Sequence, residues 1–363
     1  MPTKPLPIHP SLAHLKQQAK DLLRSHRLQT MEASQRIREF HPRFRSASDA
    51  EIANATFALS DALLTIAREY GFPSWPRLKA YIESPHQDRL THAHHERIED
   101  AAFRRAVELL DAGKIDELRT YLAAHPDVVR QRVTFDGGNY FSNPTLLEFV
   151  AENPTRHGRL PANIVDIARA ILDAGAKDDK AGLDSTLALA GSSRVARECG
   201  VQRQLIDLLC DYGANACAAI YPALLYGEFD AVDALIRRGA KVDLVVAAAT
   251  GRYNEAVSLL GDTDAESRQR ALALAAQHGR VDVVRPLLDA GVDPDRYAPV
   301  GGHSHATPLH QAVAAGQEPV VRLLVERGAR LDIRDIHHHA TPKDWAVHFG
   351  REELASYLES ASS

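Results

Sequence analysis

The chain has 363 residues, enough for about two domains of ordinary size or one elongated array. Hydrophobic residues make up 45% and charged residues 25%, which excludes a wholly disordered chain. The formal net charge is −5, and the weak basic excess of residues 1–95 lacks the Lys/Arg density of a nucleic-acid site. Nucleic acid is therefore not an expected partner.

No apolar run approaches the ~18 residues that span a bilayer, so no membrane association is expected. The first ten residues lack the apolar segment of a secretory signal. Cys199, Cys210 and Cys217 have the spacing of neither a disulfide framework nor a metal site. These features predict a cytoplasmic protein.

In chain order, the first elements predict a small helical domain over residues 1–90. Ser11 can cap a helix whose leucines recur on one face. Ser48 and Glu51 have the spacing of a capping box, which opens a second helical stretch. Ser74 can cap a third helix over Trp75–Ile82.

From residue 96 onward the chain predicts a repeat array. Residues 303–316 (HSHATPLHQAVAAG) and 337–350 (HHHATPKDWAVHFG) are similar at an offset of 34 residues. In the first copy Thr307 can cap a helix and Pro308 suits its first turn. Gly328 can end the second helix in a left-handed conformation.

The run Thr307-Pro-Leu-His-Gln-Ala312, with Val-Val-x-Leu-Leu and Gly-Ala after it, resembles the ankyrin-repeat signature. Weaker copies extend back to about residue 101, which gives about eight units over 96–363. The resemblance implies an all-α, ankyrin-like helical solenoid with short β-hairpin fingers where units are long enough. Gly137–Arg159 and Gly191–Arg203 are insertions, which in solenoids fall on one face, often the binding face.

The segment Ile66–Lys79 is similar to one found ahead of the repeats in many uncharacterised bacterial ankyrin-repeat proteins. The resemblance implies a bacterial, intracellular protein and brings no assigned activity. Common enzyme motifs are absent: the sequence has no phosphate-binding loop, no GxGxxG and no GxSxG. An enzyme is therefore not favoured, and no catalytic residue is assigned.

The expected function is a binding scaffold that recognises a protein partner through a concave groove. The groove is expected to be lined by the first helix of each pair and by the first insertion. An alternative interpretation of Trp345 is that it covers the end of the core. The candidate groove residues are Tyr140, Phe141, Glu148, Arg156, His157, His278, Gln311, Asp344, Trp345 and His348.

Histidines suggest a second function. At the 34-residue period His303 aligns with His337, and His305 with His339, so a divalent metal ion could bind between adjacent fingers. Exposed turn histidines without a metal are the alternative. The second candidate function is therefore an enzyme or small-molecule binder, with or without a metal ion, whose histidine-rich pocket lies between the fingers and the 137–159 insertion. Apart from this ion, no cofactor is expected.

Overall fold

The computed structural model describes residues 11–82, 94–135 and 140–362. Contacts divide the chain into two units, Met1–Arg97 and Ile98–Ser363. The ends of the 1–90 segment and residues 137–139 of the first insertion lie outside the described residues. Within the described ranges, no helix combines the length and apolar character needed to cross a membrane.

The first unit consists of short helices around one apolar core. Ser11 caps α1, and Ser48 with Glu51 forms the predicted capping box at the start of α3. The core includes Leu22, Ile37 and Ile66. The helices are α1 (Leu12–Arg27), α2 (Met31–Phe40), α3 (Asp49–Asn54), α4 (Leu59–Glu69) and α5 (Trp75–Ile82).

The described part of the second unit contains eight helical pairs. The first four pairs are α6 (Ala101–Asp111) with α7 (Ile115–Ala124), the 3-10 helix Leu147–Ala151 with α9 (Ile164–Asp173), α10 (Lys180–Gly191) with α12 (Gln202–Asp211), and α13 (Ala216–Leu225) with α14 (Phe229–Arg237). Two short helices, α8 (Asp127–Arg130) and α11 (Arg194–Glu198), lie between these elements. The last four pairs are α15 (Leu244–Thr250) with α16 (Tyr253–Leu260), α17 (Ala265–Gln277) with α18 (Val281–Asp289), α19 (Pro308–Ala314) with α20 (Glu318–Glu326), and α21 (Pro342–His348) with α22 (Glu352–Ala361).

First members of the pairs form an inner stack and second members an outer stack. Neighbouring inner elements pack on one another, as α10 does on α13 and α17 on α19. Outer helices do the same, as α18 does with α20. One continuous apolar core runs through the second unit, from Ile98 to Leu358. The fold is an all-α helical solenoid, because each pair buries its apolar face only against its neighbours.

The expected hairpin fingers are loops in the structure. The described residues contain no β-strand. An isolated antiparallel β-bridge there pairs Arg132 with Thr145. In the last fingers, single backbone bonds such as Ile336 N to His305 O, at 2.9 Å, close the loops. These loops are held mainly by side chains and turns, which leave no ladder long enough to form a strand.

His310 illustrates how the last repeats are capped. Its Nδ1 lies 2.8 Å from the hydroxyl of Thr307, and its Nε2 lies 3.2 Å from the carbonyl of Ala340 in the next repeat. Pro308 occupies the first turn of α19, where no backbone donor is lost. A fully buried histidine therefore joins two successive repeats.

Candidate binding surface

Arg156 holds the first insertion against the inner stack. Its side chain is 1% exposed and makes two hydrogen bonds of 2.8 Å to Asp111, at the end of α6. Arg156 also donates to the carbonyl of Phe149 at 3.1 Å and lies over that ring. His157 adds a contact of 3.2 Å from Nε2 to Asp111. Arg156 is thus engaged by the protein itself and positions the insertion.

Glu152 completes this cluster. Its Oε1 accepts the backbone N–H groups of Arg156, at 2.7 Å, of His157, and of Gly158, at 3.0 Å. Its Oε2 lies 3.0 Å from the Arg156 guanidinium. Glu152 has a φ of 49°, a left-handed conformation that is rare outside glycine. Three donors and one guanidinium hold this fully buried carboxylate and with it the turn.

Beyond the turn, the insertion crosses the ends of the inner helices. Asn153 Nδ2 donates to the carbonyl of Leu189, at 3.2 Å, and to the hydroxyl of Ser192, at 3.0 Å, at the end of α10. The hydroxyl of Tyr140 donates to Asn153 Oδ1 at 2.7 Å. Partial burial, together with the nearby Tyr226 phenol, raises the pKa of Tyr140. Tyr140 and Tyr226 are each 63% exposed, so two aromatic rings face solvent at this edge.

Two other residues expected in the groove lie in the core. Phe141 is buried, with its ring 5.2 Å from that of Phe149. Glu148 is also buried, and its Oε2 accepts the backbone N–H of Thr145 at 2.6 Å. Ser185 donates to its other oxygen. Both side chains therefore support the base of the insertion.

His278 lies at the end of α17 and joins it to α13. Its Nε2 lies 2.7 Å from the carbonyl of Leu224, and its ring meets Phe229 edge-on at 5.0 Å. Burial lowers the pKa of His278 to about 4. The ring is therefore neutral at pH 7, with Nε2 as the donor to the carbonyl.

At the last repeat, Trp345 is fixed by Asp335. The indole Nε1 donates to Asp335 Oδ2 at 3.0 Å, and the ring lies 5.1 Å from His310. Asp344 caps α21 through the N–H of Thr341, at 2.8 Å. His348 is exposed beside Phe349. Trp345 is half-buried against the core, while His348 faces solvent.

The structure does not pair the four candidate metal ligands in the way that the 34-residue alignment predicts. His305 stacks on His337, with ring centroids 4.6 Å apart, and His303 lies 6.1 Å from His305. His339 has a left-handed φ of 53° at the end of its turn. Within the described residues, no group of three or more His, Cys, Asp and Glu side chains has metal-site geometry. A shared ion stays a prediction, and elemental analysis of the protein and of His303→Ala/His337→Ala checks it.

One cavity opens on the inner side of the second unit, between α13, α17, α19 and the loop 298–303. Its volume is about 30 Å³, and its lining includes Tyr221, Arg270, Gln277, His303 and Gln311. Neither Tyr140 nor Arg156 lines it. His303 therefore faces this cavity without the insertion residues that the second candidate function requires.

The sequence pattern did not indicate Tyr226 or Arg270 as site residues. Tyr226 precedes the glycine that ends the inner helix, as His278 does one position before Gly279. Aligning these repeats at that glycine would have placed Tyr226 on the same edge as His278. Arg270 gave no such signal, because its position depends on how α17 packs.

Comparison with known proteins agrees with this fold. Residues 244–335 match the family described as ankyrin repeats, in three copies. The chain is 35% identical over 96 residues to the ankyrin repeat and SAM domain-containing protein 6 of Mus musculus, which is 26% of this chain and 10% of that protein. An ankyrin repeat-containing protein of Schizosaccharomyces pombe is 42% identical over 62 residues, 17% of this chain and 28% of that protein.

A third similar protein is an E3 ubiquitin-protein ligase of Arabidopsis thaliana. It is 39% identical over 72 residues, which is 20% of this chain and 4% of the ligase. The chain thus spans about a tenth of the length of the mouse protein and less of the ligase. The names of the mouse and yeast proteins include ankyrin repeats, which agrees with the family match at residues 244–335.

Proposed function

We propose that this protein is a binding scaffold that recognises a protein partner through the inner face of its repeats. The observation that carries the proposal is the exposed pair Tyr140 and Tyr226, held at one edge of that face. Tyrosine is enriched in protein interfaces because its ring offers a large, rigid contact area with a polar end. Val300, at the rim of the same face, is 84% exposed and adds apolar area.

The rigid support of this edge favours binding. Asn153 orders Tyr140, and the Arg156–Asp111 pair orders the turn that carries Asn153. A surface that is ordered before binding loses little conformational entropy when a partner docks. Ankyrin repeats generally mediate contacts between proteins, which supports the same conclusion.

The setting we propose is the cytoplasm of a bacterium. The similarity of Ile66–Lys79 to segments that precede repeats in bacterial proteins supports it. The alternative, a small-molecule binder, is supported by one observation, the cavity that His303 lines. The chemistry of its walls determines which ligands it can take.

The proposal is tested by affinity capture from the source organism with matched variants. Tyr226→Ser removes a ring of the inner edge, and Tyr253→Ser removes an exposed ring from outer helix α16. We expect a partner that binds the wild type and Tyr253→Ser equally. It should bind Tyr226→Ser about tenfold more weakly, because interface aromatic residues carry much of the binding energy. Equal binding to all three proteins would refute recognition through this edge.

A further inference from the structure

The loop 298–303 lies over a part of the inner face where the repeats have no fingers of their own. Residues 238–243 and 261–264, which lead into α15 and α17, are too short for a finger, whereas residues 290–307 lead into α19. This longer connection reaches back over two pairs: a β-carbon built on Gly302 would lie 3.5 Å from Cδ2 of Leu225, the last residue of α13. The loop therefore covers inner helices that would otherwise be open to a partner.

The stem of this loop is firmly held. Gln269 of α17 donates to the carbonyls of Asp293 and Arg296, at 2.9 and 3.1 Å. The backbone N–H of Ala298 donates to the carbonyl of Ala306 at 3.1 Å and closes the base of the loop. These bonds fix the points at which the loop leaves and re-enters its repeat.

The tip of the loop, residues 299–303, is held much less. Among the described residues, one hydrogen bond joins the tip to another element: Arg270 of α17 donates to the carbonyl of Val300 at 2.9 Å. The side chain of Val300 is 84% exposed and contributes little packing. A segment with so few bonds and buried contacts opens at a low cost in free energy.

The tip also packs incompletely on the helices beneath it. The cavity of about 30 Å³ lies between the tip and the carbon atoms of Leu225, Ala273 and Leu274. A small cavity with apolar walls stays dry, so the atoms around it lose van der Waals contacts. Closure of the tip is therefore weakly stabilised from below as well.

We infer that the tip is a gate: it closes this part of the inner face in the free protein, and a protein partner lifts it to place an aliphatic side chain against Leu225, Ala273 and Leu274. An aliphatic group suits these walls, because burial of apolar surface drives its transfer from water. Leu225 directly precedes Tyr226, so the site is continuous with the exposed aromatic edge. That a protein supplies the side chain rests on the proposed function; the opening of the tip rests on the loop alone.

The dye 1-anilinonaphthalene-8-sulfonate, which fluoresces on apolar surfaces, tests the gate in the protein alone. Arg270→Met removes the bond that holds the tip. Arg268→Met is the matched control, because Arg268 lies on the same helix and donates to the carbonyl of Gly261 at 2.9 Å. We expect Arg270→Met to raise the fluorescence several-fold and Arg268→Met to match the wild type. The dye is an anion, so the loss of a positive charge cannot explain a rise.

A disulfide that locks the tip on α13 provides the second test. Gly302→Cys and Leu225→Cys form the pair, in a protein whose three native cysteines are replaced by serine. Gly302 is not in the left-handed region, so its backbone accepts a side chain. When Arg270→Met is added, oxidation should abolish the extra fluorescence and dithiothreitol should restore it. A pair that does not oxidise would show that the tip does not rest on α13.

Unchanged fluorescence in Arg270→Met, or a rise that persists in the oxidised protein, would overturn the gate. Circular dichroism establishes that each variant is folded. A partner captured through the inner edge should bind the reduced pair and fail to bind the oxidised one. Equal binding to both forms would keep the scaffold and refute the gate. Dye binding that follows the lock, without any protein captured, would retain the opening of the tip and refute a protein as its occupant.

Discussion

Arg156 and Asp111 are 45 residues apart in sequence and meet through two hydrogen bonds of 2.8 Å. The pair closes the base of the first insertion on the end of α6. Because the guanidinium is 1% exposed, its charge depends on Asp111 and Glu152 for compensation.

Arg156→Met should therefore destabilise the protein by about 3 kcal/mol, since it leaves two carboxylates without their cation. Urea denaturation measures the free energy of unfolding. Arg194→Met is the matched control, because Arg194 is 61% exposed and its pair with Glu198 lies on one short helix. That control should change stability by about 0.5 kcal/mol or less. Similar losses in the two variants would show that the buried cluster contributes no more than a surface pair.

Gln311→Leu should leave stability unchanged or raise it by up to about 1 kcal/mol, because it removes a buried donor that has no partner. Gln202→Leu is the contrasting variant. Gln202 is also buried, but its Nε2 donates to the carbonyls of Ala190, Gly191 and Ser193, each at 3.2 Å. Its loss should destabilise by about 1–3 kcal/mol. The comparison fails if Gln311→Leu is the more damaging change.

His278 should make stability depend on pH. Burial lowers its pKa from 6.5 to about 4, the Leu224 carbonyl opposes this shift, and Arg280 and His303 add to it. The unfolded chain therefore binds this proton at a higher pH than the folded protein. The stability that the buried neutral His278 contributes is therefore complete above pH 6.5 and is lost as pH falls from 6.5 towards 4.

Between pH 7.5 and 5 the wild type should lose about 2 kcal/mol more than His278→Gln, which cannot titrate and keeps a donor near Leu224. Urea denaturation at the two pH values gives both numbers. An equal loss in the two proteins would assign the pH dependence to other groups.

Asp335 should be essential to the last finger. Burial opposes its ionisation, yet hydrogen bonds from the backbone of His338, Ala340 and His337 and from the Trp345 indole lower its pKa to about 2. Asp335→Ala should cost about 3 kcal/mol and shift the fluorescence of Trp345, one of two tryptophans. Asp332→Ala is the exposed control and should change neither observable. An unshifted emission spectrum in Asp335→Ala would show that the indole is held by packing alone.

The repeat pattern was enough to predict the last two helical pairs, though not that their fingers are loops rather than β-hairpins. Thr307, Pro308 and Gly328 begin and end helices through local backbone geometry, which residue type alone is enough to predict. The insertion was less predictable. Arg156 and Phe141 were predicted to line the groove because a loop with Arg and Phe resembles a binding surface. In the structure Arg156 pairs with the distant Asp111, and Phe141 packs in the core. Both outcomes depend on contacts about 45 residues away or on packing, which periodicity does not encode.

The histidine fingers show the same limit. The 34-residue alignment pairs His303 with His337, but the structure stacks His305 on His337 instead. Turn geometry causes the offset: Asp335 draws the backbone N–H groups of His337 and His338 onto its carboxylate. Asp335 thus fixes the shape of its own turn, so residues that align in the two repeats do not occupy equivalent positions in the structure.

A solenoid whose repeats contact only their neighbours stretches like a spring, with every turn equally compliant. The first insertion belongs to the second pair and adds links to both neighbours, to Asp111 in the first pair and to Leu189 in the third. His278 at the end of α17 bonds to the carbonyl of Leu224 in α13 and so bypasses the pair that begins with α15. The turns from α13 to α17 must therefore open together under tension, whereas the last two pairs can separate one at a time.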